Sequence, residues 1–322
     1  ATDGDLALER KRLARAVFGA LREVQALSGE WPEGGDAGAA PLFHWDAHQD
    51  TVYAQTHECF ENVLHVFQQQ WVGIRAAAGS LPGRKLAIGA ERDVSSSAMR
   101  QQVHNIEELA PSRIVIHGMS DTMTNMVEML FAKGWRDRLF VVLHGATAQW
   151  FSEAEFHYAA QCIGLARDGK IAKLHVMKSG FDFPGARLYR PMLFNLSPQL
   201  PELDALPDSD AHLDKVLIPG WSGWRKNIQA NALAAALSER VAEVWAFGSD
   251  LKLPCPAQQK IRIIPFRSRE QTFHLMRSAA LTMNVSLVDC HPMVQVEAQT
   301  LGAMCLRGPL FLDALEDHPY VQ

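Results

Sequence analysis

The fold is decided by one stretch in the second half of the chain, which reads KVLIPGWSGWRKNIQANALAAALSERVAEVWAFG (215–248). It begins with a short apolar run, KVLIPG (215–220), which a glycine-containing turn follows. The run IQANALAAALSERV (228–241) is typical of a helix, and EVWAFG (243–248) is again short and apolar. A strand, a helix and a second strand in this order predict a parallel β–α–β unit.

The same alternation extends in both directions along the chain. Downstream we predict strands at 260–266, 280–286 and 303–308 and helices at 268–279 and 293–302. Upstream we predict strands at 41–47, 85–91, 113–118, 139–145, 171–178 and 186–192. The upstream helices are predicted at 58–79, 97–110, 123–134 and 152–169, the last opened by a Ser-x-x-Glu cap. The fold class is therefore α/β, with parallel sheets covered by helices.

Residues 195–212 interrupt this rhythm with three prolines and four acidic residues, which is typical of an interdomain linker. We therefore predict an N-terminal Rossmann-like domain at 1–200 and a C-terminal one at 213–322. The first includes an amphipathic helix at 6–27 with five basic side chains. That helix could lie on an anionic membrane surface, as a peripheral contact, or pack on its own domain.

Composition excludes several classes of protein. The 322 residues are 48% hydrophobic and 21% charged, and the net charge of −5 argues against nucleic acid as the main partner. No apolar run approaches the roughly 18 residues of a membrane-spanning helix. The five cysteines include no CxxC pair, which favours buried thiols in a reducing cytoplasm over a zinc site or a disulfide framework.

Ligands of open parallel sheets bind outside the carboxyl ends of the strands, so the residues that follow each strand are the candidates. After the strand at 280–286 the chain reads LVDCHP and then enters the helix at 293–302. The N–H groups of Met293 and Val294 would open that helix and could receive a phosphate. Glu297 falls about one turn inside it, and Asp289 precedes Glu297 by eight positions. Two carboxylates beside a helix start suit a hydroxyl-rich ligand.

The segment ALTMNVSLVDCHPMVQVEAQTLGAMCLRG (280–308) resembles the signature of retaining glycosyltransferases of the two-Rossmann (GT-B) fold. In that pattern an acid stands eight positions before a Glu-Ala pair, and a glycine and a hydrophobic strand follow. The resemblance implies two Rossmann-like domains facing across a cleft, with Glu297 on the nucleotide ribose and Asp289 near the donor sugar. Cys290-His291-Pro292 replaces the family's glycine-rich turn, and we assign His291 to the donor side.

The stretch KVLIPGWSGWRKNIQANALAAAL (215–237) resembles the first strand, turn and helix of the same domain. There the family holds the donor diphosphate with an Arg/Lys pair, which implies this role for Arg225 and Lys226. Gly220, Ser222 and Gly223 would let the backbone approach the phosphates. Fixed cations suit this position because a departing nucleotide diphosphate accumulates negative charge.

Three further residues complete the predicted site. The segment 263–280 resembles the family's base-binding strand, loop and helix, which puts Phe266 beside the base. The strands RIVIHG and LFVVLHG end alike, with His117 and His144 at their carboxyl ends. A histidine there would face the cleft as a catalytic base, so we rank His144 first and His117 second.

The predicted function is transfer of a sugar from a nucleotide-diphosphate sugar, with UDP or dTDP as the nucleotide, to a glycan, lipid-linked or protein acceptor. A fainter resemblance to bacterial 4-acetamido-4,6-dideoxygalactose transferases, in HGMSDTMTNMVEMLFAKG and PGWSGWRKN, points to surface glycans. Alternatives are a sugar-nucleotide epimerase, with Glu91 and Asp93 as acid and base, and a catalytically silent binding subunit.

No metal and no further cofactor are expected, because cations and a helix N-terminus would take the leaving-group charge. Two stretches have the spacing of metal ligands. Asp208-Ser209-Asp210 lies in the proline-rich linker, and FHWDAHQD (43–50) lacks a further ligand. Both are better explained as ordinary polar segments.

Overall fold

A computed structural model gives the structure of the chain over residues 60–89, 95–150, 152–177, 212–220, 224–248, 251–253, 256–265, 269–289 and 292–308, with residue 213 described by its backbone only. Two five-stranded parallel sheets organise these residues, and helices accompany both. The predicted α/β class with two Rossmann-like units is confirmed. Among the described residues, no helix is long and apolar enough to cross a membrane.

The first unit contains strands β1 to β5 in the order β2-β1-β3-β4-β5. The strands are β1 (Val63–Gln68), β2 (Arg84–Ile88), β3 (Arg113–His117), β4 (Leu139–Leu143) and β5 (Lys173–Val176). The helices are α1 (Val72–Gly79), α2 (Ser96–Leu109), α3 (Asp121–Ala132) and α4 (Glu153–Arg167). Strand order reverses direction between β1 and β3, which is where an open sheet of this type has its ligand crevice.

The second unit contains strands β6 to β10 in the order β10-β9-β6-β7-β8. The strands are β6 (His212–Ile218), β7 (Glu243–Phe247), β8 (Ile261–Ile264), β9 (Ala279–Asn284) and β10 (Cys305–Arg307). The helices are α5 (Ile228–Leu237), α6 (Arg269–Ser278) and α7 (Met293–Thr300). This is the dinucleotide-type Rossmann order, with its switch point between β6 and β9.

The predicted helix over 58–79 is wrong. Residues Val63–Gln68 form the interior strand β1, and only Val72–Gly79 are helical. Leu64 to Gln68 are all buried, because β1 lies between β2 and β3 and both of its faces are covered. A strand buried on both faces lacks the apolar–polar alternation of a half-exposed strand, so its pattern merges with that of the helix behind it.

The helix predicted at 152–169 is confirmed as α4, but its cap differs from the prediction. Ser152 is the residue before the helix, yet its side chain makes no capping hydrogen bond. Glu155, the acid of the Ser-x-x-Glu pattern, instead points towards Gly145, with Oε2 3.6 Å from the place a Cβ of that glycine would occupy. The acid is therefore available for a role outside the helix.

Each sheet has its own apolar core, and the two units also touch. In the first unit Leu64, Ile116, Met126 and Leu174 are among the fully buried side chains of one continuous cluster. Between the units, Met293 packs against Ala76 and Ala77 of α1. Val288 packs against a small cluster made of Val142, Ala146 and Met177. The loop after β9 therefore meets the ends of β4 and β5, and the start of α7 meets α1.

The predicted strands at 41–47 and 186–192 and the helix at 6–27 lie outside the described residues. So does most of the linker predicted at 195–212, which leaves the boundary between 1–200 and 213–322 a prediction.

Candidate functional site

The candidate site lies at the switch point of the second sheet, where two loops meet. The first, which we call the cation turn, is residues 224–227 and contains the 3-10 helix Trp224–Lys226 after β6. The second, the acidic loop, is residues 285–289 after β9. The backbone N–H of Leu287 donates to the carbonyl of Arg225 at 2.8 Å. The sequence placed both loops at this edge, and the structure brings them into direct contact.

A buried asparagine that the sequence analysis overlooked fixes the two loops to each other. Asn231, 2% exposed on α5, donates through Nδ2 to the carbonyls of Asn227 at 2.7 Å and Val285 at 3.1 Å. Its Oδ1 accepts from the N–H of Val285 at 3.2 Å. One side chain thus ties the cation turn to the acidic loop. The signal in the sequence was the single asparagine of a helix rich in alanine and leucine.

The charges of the cation turn are not equivalent. The Lys226 ammonium forms an ion pair with the carboxylate of Asp289, so these two predicted residues neutralise each other. The guanidinium of Arg225 has no hydrogen-bond partner among the described residues. Its electrostatic neighbour is Glu155 of the first unit. Within the described residues, Arg225 is therefore the cation of the turn that no hydrogen bond or short ion pair occupies.

Helix α7 begins at Met293, as predicted, and Val294 is its second residue. Glu297 lies one turn inside and is 9% exposed. Its Oε1 accepts from Arg269 of α6 at 3.1 Å, and Oε2 has no partner in the described part of the chain. Burial raises the pKa of Glu297, and the Arg269 guanidinium opposes that shift. One of the two carboxylate oxygens of Glu297 thus accepts a hydrogen bond within the described residues, and the side chain is not freely solvated.

Gly220 precedes the cation turn, and its lack of a side chain has a packing reason. A Cβ at this position would overlap the Ile228 side chain at the start of α5. The glycine lets the helix begin directly against the end of the strand segment. This close packing brings the cation turn and the first residues of α5 together.

The two predicted histidines are connected, and a third histidine joins them. His117 Nδ1 lies 3.0 Å from His144 Nε2, and His117 Nε2 lies 2.9 Å from His65 Nδ1. His65 Nε2 lies 2.9 Å from the carbonyl oxygen of Pro82. We call His65, His117 and His144 the histidine ladder. His65 went unnoticed in the sequence because it falls within the segment mistaken for a helix.

Burial governs the protonation of the ladder. It lowers the pKa of His144 to about 4, and burial together with the nearby Lys85 lowers the pKa of His65 to about 4. The pKa of His117 is lowered well below its ordinary value, by burial first and then by the neighbouring histidines and Lys85. All three rings are therefore neutral near pH 7. A neutral histidine at a cleft is a base and not an acid.

Glu155 is a further residue that the sequence analysis did not single out. It approaches Gly145, the residue after His144, and faces Arg225 of the second unit. Burial raises the pKa of its carboxyl group, and Arg225 opposes the shift. A partly desolvated carboxylate opposite an arginine is typical of a functional site.

Several predicted residues lie outside the described part of the chain: Ser222, Gly223, Phe266, His291, Glu91 and Asp93. The two stretches with the spacing of metal ligands, 43–50 and 208–210, lie outside it as well. Among the residues described, no group of three or more His, Cys, Asp and Glu side chains could hold a metal ion.

No protein-family model matches the chain, and no curated protein matches it in sequence. Among solved structures, it is similar to trehalose-6-phosphate from E. coli bound with UDP-2-fluoro glucose. That match has a TM-score of 0.50 at 10% identity and covers 77% of this chain and 84% of the other. The chain has the GT-B fold.

Two other similar structures have lower TM-scores. Sucrose-phosphate synthase from Thermosynechococcus elongatus matches with a TM-score of 0.49 at 10% identity, over 76% of this chain and 80% of that one. UDP-GlcNAc 2-epimerase from Neisseria meningitidis bound to UDP-GlcNAc matches with 0.42 at 12% identity, over 76% and 82%. At these identities the likeness concerns the fold alone.

Proposed function

We propose that the chain is a metal-independent glycosyltransferase that binds a nucleotide-diphosphate sugar on its second unit. The observation that supports this most is the position of Arg225. Its guanidinium is hydrogen-bonded to none of the described residues, and it lies at the switch point of a Rossmann sheet. A diphosphate bound there would meet this cation and the N–H groups of Met293 and Val294 at the start of α7.

The remaining donor contacts follow from the same arrangement. Oε2 of Glu297, which has no hydrogen-bond partner among the described residues, would accept from a ribose hydroxyl of UDP or dTDP. The Lys226–Asp289 pair would stand beside the diphosphate and the sugar. The E. coli structure of the same fold contains UDP-2-fluoro glucose, which agrees with a uridine nucleotide as donor.

The acceptor would enter from the first unit, where His144 lies at the carboxyl end of β4. A neutral imidazole there would take the proton of an acceptor hydroxyl as the bond to the sugar forms. The nucleotide diphosphate would leave with the electron pair of the broken bond, stabilised by Arg225 and the helix N-terminus. We propose a surface glycan, a lipid-linked sugar or a protein as the acceptor class.

One observation favours an epimerase as the second candidate. Such an enzyme requires an acid or base carboxylate from the first unit, and Glu155 provides one with a raised pKa opposite Arg225. In that reaction the nucleotide sugar would keep its diphosphate link at the end of the cycle. In the transferase reaction the nucleotide diphosphate is released.

The test is incubation of the purified chain with a panel of UDP- and dTDP-sugars in the presence of EDTA. Release of nucleotide diphosphate supports the transferase, including slow hydrolysis to water when no acceptor is present. Appearance of an epimeric sugar nucleotide without release supports the epimerase. Binding without either reaction indicates a silent subunit.

The matched variants are Arg225→Ala and Arg240→Ala, the second an exposed arginine after α5. We expect Arg225→Ala to weaken binding of the nucleotide diphosphate by about 1.5–3 kcal/mol, as for a charge-assisted hydrogen bond, and to leave the uncharged nucleoside unaffected. Arg240→Ala should change neither. Equal losses for nucleotide and nucleoside would show that Arg225 does not contact phosphate.

A further inference from the structure

The histidine ladder rises diagonally across three adjacent strands of the first sheet. His117 pairs in register with Phe67, two residues beyond His65 on β1. Val142 pairs in register with His117, and His144 stands two residues beyond Val142. Each step therefore moves one strand across and two residues towards the carboxyl edge. Side chains two residues apart share a face, so the three rings lie on the same face of the sheet.

The His65 end of the ladder fixes the direction in which its hydrogen bonds are donated. The carbonyl oxygen of Pro82 can only accept a hydrogen bond, so His65 must carry its proton on Nε2. The neutral His65 then has a lone pair on Nδ1, which accepts from the Nε2–H of His117. The neutral His117 in turn accepts on Nδ1 from the Nε2–H of His144. Each ring donates from Nε2, and the last lone pair is left on Nδ1 of His144.

We propose that His65 and His117 are positioning residues that hold His144 in its Nε2–H form and so present its Nδ1 as the base of the site. The catalytic part of this proposal rests on the proposed function, whereas the tautomer itself does not. No hydrogen-bond partner occupies His144 Nδ1 within the described residues, so the lone pair is available.

The surroundings of the ladder keep its three histidines neutral until His144 accepts a proton. The charged and titratable groups that act on it are Lys85 of β2 and His175 of β5. His175 is itself kept neutral by burial, and by Lys173, which lower its pKa to about 4. In the described part of the chain no carboxylate pairs with a ladder histidine. The dipoles of His117 and His65 therefore replace the carboxylate that orients many catalytic histidines.

A hydrogen-bond chain of this kind also increases the basicity of its last member. Each ring that donates from Nε2 becomes a better acceptor at Nδ1, because the bonds polarise one another in the same direction. When Nδ1 of His144 takes a proton, the cation still donates from Nε2 to His117. The ladder thus compensates part of the desolvation that opposes charge on His144.

The direct test is nitrogen-15 NMR of the histidine rings in the intact chain near pH 7, where protonated and lone-pair nitrogens have different shifts. We expect all three ladder rings to carry the proton on Nε2. In His65→Leu the ladder loses its fixed end, and His117 and His144 should become tautomer mixtures. In His65→Gln the side-chain carbonyl can accept and the amide can donate, so the wild-type tautomers should persist.

The proposal is overturned if His117 or His144 carries its proton on Nδ1 in the wild type, or if His65→Leu folds and leaves both tautomers unchanged. Should His65→Leu fail to fold, the wild-type spectrum and His65→Gln still decide the matter. His104→Leu, at an exposed position of α2, controls for loss of a histidine elsewhere in the unit.

Kinetics then separates the tautomer from the catalytic role. With an active donor, His65→Leu should lower kcat by roughly tenfold, the smaller end of what general-base catalysis contributes, with little change in donor KM. His65→Gln should restore most of the lost rate. An unchanged kcat in His65→Leu would refute the positioning role. Absence of any turnover in the wild type would count against the proposed function and leave the tautomer result standing.

Discussion

Glu297 shows how a residue can be positioned by one partner and still bind another. One of its oxygens is held by Arg269, and the other is free among the described residues. The ion pair between side chains that are 15% and 11% exposed fixes the carboxylate orientation before any ligand arrives. Its surroundings therefore differ from those of an ordinary helical glutamate on a solvated surface.

We therefore expect Glu297→Gln to affect both binding and stability. The dissociation constant of UDP or dTDP should rise by roughly tenfold, about 1.4 kcal/mol, because the single amide oxygen cannot accept from Arg269 and from a ribose hydroxyl through two separate oxygens, as the carboxylate does. The free energy of unfolding should fall by about 1–3 kcal/mol, because Arg269 loses its charged partner. Titration calorimetry and urea unfolding measure the two effects.

Glu243→Gln is the matched control for that substitution. Glu243 is also paired with basic side chains, Lys215 and Arg262, but it begins β7 at the opposite edge of the same sheet. Glu243→Gln should lower the free energy of unfolding and leave the affinity for the nucleotide unchanged. An unchanged nucleotide affinity in Glu297→Gln would remove Glu297 from the site.

At the scale of single residues, the sequence predicts those site residues that belong to a local motif. Arg225 and Lys226 were predicted from the resemblance of their segment to a known family, and Asp289 from its place between a strand and a helix and from the same resemblance; the structure brings the three together. Asn231 and Glu155 could not be predicted, because their partners lie far away in the chain. Asn231 bonds to Val285, 54 positions downstream, and Glu155 faces Arg225 in the other unit.

At the scale of elements, strand β1 was not predicted, whereas the strands beside it in the sheet were. Strands with β-branched runs bounded by turns, such as β3 and β4, were predicted at the correct place. Strand β1 was missed because both of its faces are buried and the next helix begins only four residues after it. Its loss from the prediction also concealed His65, since a histidine within a helix would not face β3.

The end of β3 offers a test of how tightly α1 and the strand ends are packed. Gly118 has φ +76°, and a Cβ there would lie 2.6 Å from Cζ3 of Trp71. Gly134, after α3, has φ +84° with no atom near its Cβ position. Both substitutions to alanine meet the strain of the left-handed region, about 1–2 kcal/mol. Gly118→Ala should lose a further 1–3 kcal/mol, roughly, from overpacking.

Urea unfolding of the two variants gives that difference directly, because Gly134→Ala serves as the control for backbone strain. Equal losses would mean that Trp71 moves aside without cost. The crowding at Gly118 would then have no part in holding His117, its neighbour in sequence, in place.

At the scale of the whole molecule, the ladder predicts how stability depends on pH. The pKa values of His65 and His144 are about 4 in the folded chain, against 6.5 ordinarily. Between these values the unfolded chain binds protons that the folded chain does not. Their contribution to stability is therefore complete above pH 6.5 and is lost as the pH falls towards 4.

We expect the free energy of unfolding to fall between about pH 6.5 and pH 5, by up to about 1.4 kcal/mol per pH unit for each such histidine. His65→Gln should reduce this slope, whereas His104→Gln, at an exposed site, should leave it unchanged. Urea titrations at several pH values provide the measurement. A slope that is the same in all three proteins would show that the ladder is not the source.

The two-unit α/β architecture was the part of the whole molecule that the sequence predicted best. Hydrophobic periodicity repeats locally in every β–α–β unit, so many short signals support the same conclusion. How the units touch could not be predicted in the same way. Contacts such as Met293 against Ala76 and Ala77 join surfaces that leave no periodic pattern in either segment.

Asn231 has a consequence for the order of events in a catalytic cycle. It fixes the cation turn to the acidic loop through bonds made wholly inside the second unit. The groups that we propose to face phosphate are thus assembled before anything occupies the first unit, and under that proposal little ordering entropy remains to be lost when the nucleotide arrives. We expect the donor to bind first, with an association rate indifferent to the acceptor, and the nucleotide diphosphate to depart last.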